Sequence, residues 1–199
     1  MSLRPFVLAT VAALSLAACA TGGSNRAEVT RFHLNQPIAR GTIQLVPQQS
    51  WTAGQLEFRS VADSIAPALA AQGFQPVVPP ASADLIGIVD FSQGVRQGSG
   101  RGSGFSIGIG GGSFGRHGGI GGGVTLPIGQ AKPNDIVVST LALQIKRRSD
   151  GSVVWEGRAS GEGRSGSADA SPSAIAPRLA AALLAGFPGA SGQTVRVQL

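Results

Sequence analysis

The stretch DIVVSTLALQIKRRSDGSVVWEGRASGEG, residues 135–163, carries the strongest structural signal in the sequence. Two runs rich in β-branched residues flank Asp150-Gly151, a dipeptide that favours a tight hairpin turn. Glu156 and Arg158 fall on one face of the second run. Because side chains alternate along a strand, the apolar face of the hairpin collects Val137, Leu141, Leu143, Ile145, Val153, Trp155 and Ala159. The stretch predicts an antiparallel hairpin that supplies much of the core.

Four further segments around this hairpin have strand character. Residues 85–89 are apolar on both alternating faces, which indicates a central strand covered on both sides or by adjacent elements. Residues 29–34 and 42–46 alternate in polarity and are separated by Pro37 and Gly41, so they predict an opening hairpin. TVRVQL, residues 194–199, predicts a closing strand.

Two segments have the periodicity of amphipathic helices. In residues 58–72 apolar side chains recur every four positions, and Gly73 follows as a stop. Pro67 is expected to kink this helix because proline removes a backbone donor. Its apolar positions are Val61, Ile65 and Leu69.

The second helix is predicted to begin at Ser171, a good N-cap residue, followed by Pro172 at the first helical position. It ends near Gly186 and Pro188, and its apolar stripe is Ile175, Leu179 and Leu183. The complete pattern predicts an α+β fold: a two-layer sandwich with a mostly antiparallel sheet and two helices on one face. Residues 28–199 are expected to form a single domain.

A glycine-rich segment, residues 98–123, interrupts this pattern with 14 glycines in 26 positions. Gly110, Gly112 and Gly115 match G-x-G-x-x-G, but no helix pattern follows, so we do not expect a phosphate-binding loop. No acidic residue occurs from Phe91 to Asn134, which argues against a calcium-binding repeat. Alternating apolar residues favour a β-ribbon or ordered flap, and the composition equally favours a disordered linker.

The same region is the most one-sidedly basic part of a chain whose formal net charge is +6. Its basic residues, counted with the flanking positions, are Arg96, Arg101, Arg116, His117 and Lys132. Positive charge of this kind can dock on anionic lipid, lipopolysaccharide or cell wall. Solvation of the turns explains the same charges, so docking is a hypothesis.

The N-terminus has the pattern of a secretory leader. Arg4 precedes an uncharged run of about 14 residues, which is shorter than the roughly 20 needed to cross a bilayer as a helix. Leu16-Ala17-Ala18-Cys19 resembles the bacterial lipobox. A lipobox implies removal of residues 1–18 and attachment of diacylglyceryl and N-acyl chains to Cys19, with residues 19–27 as a flexible tether.

Cleavage by this route implies a particular location. With Ala20 after the cysteine, we expect a lipid anchor in the outer membrane, with the domain facing the periplasm. Export makes a nucleic-acid partner improbable. Ala18-Cys19-Ala20 also satisfies the A-x-A rule of ordinary signal peptidase, and that cleavage would release a soluble periplasmic ligand carrier.

Catalytic chemistry has little support in the sequence. The two histidines, His33 and His117, have no local carboxylate or second histidine at ligand spacing, and no G-x-S-x-G motif occurs. Asp84 and Asp90 are expected to lie about 20 Å apart along one strand, too far for a carboxylate pair. We therefore expect no catalytic residue, no metal and no cofactor beyond the lipid. A hydrolase built around His33 or His117 is the less favoured alternative.

Several of these features together resemble one family of bacterial lipoproteins. They are the lipobox, Gly73-Phe74 after the first helix, ADLIGIVDF at residues 83–91, VVWEGRASG at residues 153–161 and GFP at residues 186–188. The chain is similar over residues 29–188 to the domain-of-unknown-function family 4136. The resemblance implies a periplasm-facing α/β domain attached to the outer membrane, with no established activity and no catalytic residues. Its partner would be an unidentified envelope protein.

Overall fold

The structure is a computed structural model that describes residues 25–48, 55–79, 81–96, 105–106 and 135–199. For residues 105–106 only the backbone is described. Cys19 and most of the glycine-rich segment lie outside these ranges. Among the helices within them, none is long and apolar enough to cross a membrane.

Eight strands, two α-helices and one 3-10 turn make up the described fold. In chain order they are β1 (Arg26–His33), β2 (Thr42–Pro47), α1 (Leu56–Ala71), β3 (Gln75–Val77), β4 (Leu85–Arg96), β5 (Phe105–Ser106), β6 (Ile136–Arg147), β7 (Val153–Arg164), the 3-10 turn (Ala168–Ala170), α2 (Pro172–Leu184) and β8 (Thr194–Gln198).

The strands form one mixed sheet. Seven of them follow the order β3-β2-β4-β6-β7-β1-β8, and β5 pairs with β4 outside that path. β2 runs parallel to β3 and β4, whereas the other neighbours are antiparallel. A mostly antiparallel sheet with two helices confirms the predicted α+β class. β4 lies between β2 and β6, so the predicted interior position of residues 85–89 is also confirmed.

The predicted hairpin of residues 135–163 is confirmed as β6 and β7. The two strands pair from Ile136 with Arg164 to Ile145 with Trp155, and Gly151 takes a positive φ of 69° in the turn. A glycine adopts this conformation without the steric cost that a side chain brings. Of the predicted core residues, Leu141, Leu143, Ile145, Trp155 and Ala159 are all fully buried.

A β-bulge changes the expected position of Val153. Ile145 pairs with Trp155 but Lys146 pairs with Val153, so Val154 is an extra residue in β7. An extra residue reverses the alternation of side chains beyond it. Val153 is 40% exposed, and Val154 packs against the core in its place. The prediction that Val153 shares the face of Trp155 is therefore wrong.

The predicted opening hairpin of residues 29–34 and 42–46 is also wrong. Both segments are strands, but β4, β6 and β7 lie between them in the sheet. Alternating polarity identifies a strand without identifying its partner. β1 instead lies between β7 and β8, where the buried Arg31 reaches the end of α2. β1 begins at Arg26, so it includes the last two residues of the predicted tether.

Both predicted helices are present. α1 ends where Gly73, at a φ of +87°, donates its N–H to the Ala70 carbonyl at 2.9 Å. α2 begins at Pro172 after Ser171, as predicted. The Ser171 hydroxyl, however, donates back to the Ala168 carbonyl and does not cap α2. α1 is continuous across Pro67, and the kink predicted there stays a prediction.

One hydrophobic core unites the helices with the sheet. The odd-numbered residues of β4, β6, β7 and β1 contribute one side of it, and the apolar stripes of both helices contribute the other. Trp155 lies at its centre with no exposed surface, 5.2 Å from the ring of Phe187. The even-numbered strand residues are thereby directed away from this core.

Candidate functional site

The sheet has one core-facing side and one polar side. We call the second the polar face, and it is formed by even-numbered residues of four neighbouring strands. Cross-strand pairing places these residues in transverse rows, so their neighbours are fixed by register. The central part of the polar face consists of Thr30, Phe32, Asp90, Ser92, Thr140, Ala142, Gln144, Glu156, Arg158 and Ser160.

A groove of about 300 Å³ crosses the polar face. Ala142 is one of its lining residues, and its small side chain lies between larger ones in the transverse row. Register puts Asp90 on one side of Ala142 and Arg158 on the other. The polar-face residues that line the groove are Thr30, Phe32, Ala142, Gln144, Glu156 and Arg158.

The groove presents three kinds of group to a ligand. The Gln144 amide donates to Glu156 Oε2 at 3.2 Å and holds this carboxylate in place. Arg158 is exposed, and no carboxylate of the described residues lies within 4.0 Å of its guanidinium. Phe32, directly across from Glu156, leaves 48% of its surface exposed. An anion, a cation and an aromatic ring side by side suit binding, because each can select a different part of a partner.

Asp90 is the most unusual polar residue of this face. It is 9% exposed, and among the described residues its Oδ1 atom has no hydrogen-bond partner. Burial raises the pKa of the Asp90 carboxyl, and the positive charge of Arg158 opposes this rise. Carboxylates seldom occupy such a site without a donor.

Asp84, the other carboxylate considered from the sequence, has a different role. It lies before β4 and accepts a hydrogen bond from the Thr42 hydroxyl at 2.7 Å. This hydrogen bond, with a second from the Thr42 backbone, lowers the pKa of Asp84. The contact fixes the start of β2 against the start of β4, so Asp84 is a structural residue.

His33 is held by the backbone through both ring nitrogens. Nδ1 accepts from the Asn35 N–H at 3.2 Å, and Nε2 lies 2.9 Å from the Gly189 carbonyl oxygen. Since Nδ1 is the acceptor, Nε2 carries the proton and donates it to Gly189. The Ser191 hydroxyl donates to the His33 carbonyl at 2.9 Å. His33 therefore ties β1 to the chain after α2.

The predicted basic residues fall mostly outside the described part of the chain. Arg101, Arg116, His117 and Lys132 lie there, as does Cys19. Arg96 is at the end of β4, where its guanidinium pairs with Glu162 at 2.7 Å. Both side chains are about half exposed, and such surface pairs leave a cation accessible to an anion.

A second depression, of about 540 Å³, lies near the loop before β2. Its arginines Arg40 and Arg148 donate hydrogen bonds to backbone carbonyls of other segments. Arg40 donates to the Gln72 carbonyl at 2.7 Å, and Arg148 donates to the Ala83 carbonyl at 2.6 Å. This depression is therefore a weaker candidate than the groove of the polar face.

The polar-face groove could not be located from the sequence. Its residues come from three strands, and only Glu156 and Arg158 carry a visible signal, their shared face on the hairpin. Phe32 and Thr30 join them through the β1–β7 pairing, which the sequence pattern does not reveal. Over the described ranges, no three histidine, cysteine or acidic side chains come together as metal ligands.

Comparisons with known proteins place the chain among uncharacterised relatives. An uncharacterized protein of Zymomonas mobilis subsp. mobilis is 30% identical over 211 aligned residues, which cover 86% of this chain and 80% of the relative.

Two solved structures are more distant. The PelC dodecamer from Paraburkholderia phytofirmans is 16% identical, with a TM-score of 0.43 over 79% of this chain and 94% of PelC. A PDZ domain protein from Parabacteroides distasonis is 11% identical, with a TM-score of 0.45 over 96% of this chain and 42% of that protein. At these scores the likeness supports no conclusion about this chain.

The sequence model of the family described as "Domain of unknown function (DUF4136)" matches residues 32–189. This range contains both helices and every strand except β8 and the first six residues of β1. It also agrees with the resemblance that the sequence motifs carry. The chain belongs to the DUF4136 family.

Proposed function

We propose that this chain is a lipid-anchored envelope protein of the outer membrane that faces the periplasm and has a non-catalytic role in binding or assembly. The groove of the polar face carries this proposal. It offers an exposed aromatic ring beside Glu156 and Arg158, an arrangement that suits binding. The partner of the groove is an envelope protein. An anionic component such as lipid, lipopolysaccharide or cell wall is the partner of the basic residues Arg96, Arg101, Arg116, His117 and Lys132, and nucleic acid is not a partner.

The anchor of this proposal is a thioether-linked diacylglyceryl group on Cys19, with an acyl chain on its amine. Two or three acyl chains hold a protein durably, whereas one gives only marginal attachment. Seven peptide steps separate Cys19 from Arg26, the first residue of β1. They can span at most about 25 Å, so the end of the sheet where β1 begins would stay near the bilayer.

The groove would then be held away from the membrane. Phe32 follows Arg26 by six residues along β1, which corresponds to about 20 Å at roughly 3.3 Å per residue. An anchor at one end of the strand and a groove toward the other leave the groove open to the periplasm. This geometry supports a binding role for the polar face.

We extend the proposal to the finer architecture. The helices form one layer and the sheet a second, and the glycine-rich segment 98–123 forms a ribbon or flap. The single core shared by both helices and the sheet supports the two layers. The pairing of β5 with the end of β4, Arg96 with Phe105, supports a ribbon because β5 belongs to that segment.

Site-specific photo-crosslinking in the native envelope tests the binding role. We expect a crosslinking amino acid at Phe32, which is 48% exposed in the groove, to capture a discrete envelope partner. The matched control is Leu56, an 81% exposed apolar residue at the start of α1. Capture should be lost from Phe32 when Arg158→Ala is added. Equal adducts from Phe32 and Leu56, or none from Phe32, would contradict the proposal.

A further inference from the structure

Gln48 and Asp90 lie side by side on the polar face. β2 is parallel to β4 with Pro47 opposite Val89, and the Gln48 N–H donates to the Val89 carbonyl at 3.0 Å. Gln48 therefore continues the register of β2 and comes next to Asp90. Gln48 is the residue after Pro47 and Asp90 is the residue after Val89, so the two side chains project from the same side of the sheet.

Each of these two residues has a buried side-chain oxygen that lacks a hydrogen-bond donor in the described structure. Gln48 Oε1 and Asp90 Oδ1 are both buried, and within the described part of the chain neither has a hydrogen-bond partner. Both atoms are acceptors if Asp90 is ionised, so each would remain unsatisfied and the two would repel. A buried acceptor without a donor destabilises the folded state, because the desolvation of the acceptor is not compensated. A proton on Asp90 satisfies both oxygens, because the carboxylic acid then donates to the amide oxygen.

We propose that Asp90 is a proton-binding site: the folded chain keeps this carboxyl protonated at pH values where an exposed aspartate is ionised, and its O–H donates to Gln48 Oε1. The proton then links the end of β2 to the interior strand β4. This site is separate from the proposed groove residues and is independent of the lipid anchor.

The surroundings favour the neutral acid on balance. On the adjacent strand β6 Asp90 faces the uncharged Ala142, and Ile88 and Ser92 are its neighbours on β4. The charged residues that the described polar face adds are Arg158 and Glu156 on β7 and Lys146 on β6. Arg158 favours the carboxylate, and its strand β7 lies two strands from β4, but desolvation outweighs this charge and raises the pKa of Asp90.

The raised pKa of Asp90 determines whether the stability of the fold rises or falls with pH. An aspartate whose pKa is raised in the folded state contributes its full stability below the pKa of the unfolded chain. That contribution is lost as the pH rises through the folded pKa, because the folded state must then bury a charge. Deprotonation should therefore loosen the contact between β2 and β4.

Carboxyl carbon NMR over a pH titration of the folded domain tests the proposal. Asp90 should titrate above the ordinary aspartate value, whereas Asp84 and Asp150 in the same spectra should titrate below it, Asp150 with a pKa of about 2. The Asp84 and Asp150 carboxylates accept hydrogen bonds, which makes them internal references. Titration of Asp90 at or below the ordinary value would overturn the proposal.

The variant Gln48→Met distinguishes two directions of the hydrogen bond between these residues. In the proposed direction the Asp90 acid donates to Gln48 Oε1, and in the opposite direction the Gln48 amide nitrogen donates to an ionised Asp90. Methionine is close to glutamine in size but offers neither group. If the acid donates to Oε1, the variant loses stabilisation of the neutral form and the Asp90 midpoint falls. If the amide donates to the carboxylate, the midpoint rises, and the proposal is wrong.

Asp90→Asn provides a second readout, because the asparagine amide can donate to Gln48 Oε1 at every pH. We expect its melting temperature to exceed that of the parent chain at pH 7.5 and the difference to shrink at pH 4. Asp63→Asn, which removes an exposed carboxylate of α1, is the matched control and should show no such trend. A variant that is less stable than the parent at pH 7.5 would count against the proton site.

Discussion

Replacing Arg31 with methionine should lower the free energy of unfolding by about 3–5 kcal/mol, since hydrogen bonds to a buried charge contribute about 1.5–3 kcal/mol each and do not add fully. Arg31 is 5% exposed on the core side of β1. Its Nε donates to the Leu183 carbonyl at 2.8 Å, and Nη2 donates to the carbonyls of Ala182 and Ala185 at 2.9 and 3.0 Å. Methionine fills similar space but leaves these carbonyls unpaired.

The charge of Arg31 also matches the end of α2. Helix C-termini carry partial negative charge, so a cation there is favourable. Burial lowers the pKa of the Arg31 guanidinium, yet arginine stays charged in proteins. Because a lysine keeps the charge without the planar fork, Arg31→Lys should recover less than half of the loss.

Urea unfolding of the three forms measures this effect. Arg59→Met, at an exposed position of α1, is the control and should change the free energy by no more than about 0.5 kcal/mol. The slope of the transition should stay the same, so that the shift reports stability alone. A loss below about 1 kcal/mol for Arg31→Met would mean that the carbonyls find water or other donors.

Gly157→Ala should destabilise the fold by about 2–3 kcal/mol, the upper range for overpacking a core. A Cβ atom at Gly157 would lie 2.6 Å from the Trp155 ring and 2.9 Å from Leu183 Cδ1. The ring is fully buried and its indole N–H donates to the Pro188 carbonyl at 3.0 Å, so it cannot move aside cheaply.

Gly161→Ala on the same strand and face is the matched comparison. Its Cβ would meet only side-chain ends, Leu199 Cδ1 at 3.0 Å and Leu179 Cδ2 at 3.2 Å, which can shift. Thermal unfolding should therefore give a melting temperature about 5–10 °C lower for Gly157→Ala and a much smaller decrease for Gly161→Ala. Equal decreases would contradict the tight packing of Gly157 against Trp155.

The elements of this fold were largely predictable, because local patterns determine them. The Asp150-Gly151 turn between β-rich runs identified β6 and β7, and the stripe of Ile175, Leu179 and Leu183 identified α2. Each of these patterns is complete within a short segment, and burial confirms it. The strand partners were less predictable, because β1 pairs with β7 and bonds through Arg31 to carbonyls of α2, all of them more than 120 residues away in the sequence.

The candidate site was harder to predict for a related reason. Asp90 and Gln48 become neighbours only through the parallel pairing of β2 with β4. Hydrophobic patterning does not specify this pairing. The groove depends on Phe32 from β1 meeting Glu156 and Arg158 from β7. The bulge at Val154 reverses which side chains of β7 face the core, and a strict two-residue alternation cannot predict this reversal.

The intact mass of the natively exported chain tests the lipid anchor, on which the proposed function rests, most directly. We predict a chain that begins at Cys19 and carries a diacylglyceryl group and one further acyl chain, recovered with the outer membrane. Cys19→Ser is the control and should give an unmodified product that leaves the membrane fraction. A native chain without fatty acid, beginning after Ala20, would contradict the account and favour a soluble periplasmic carrier.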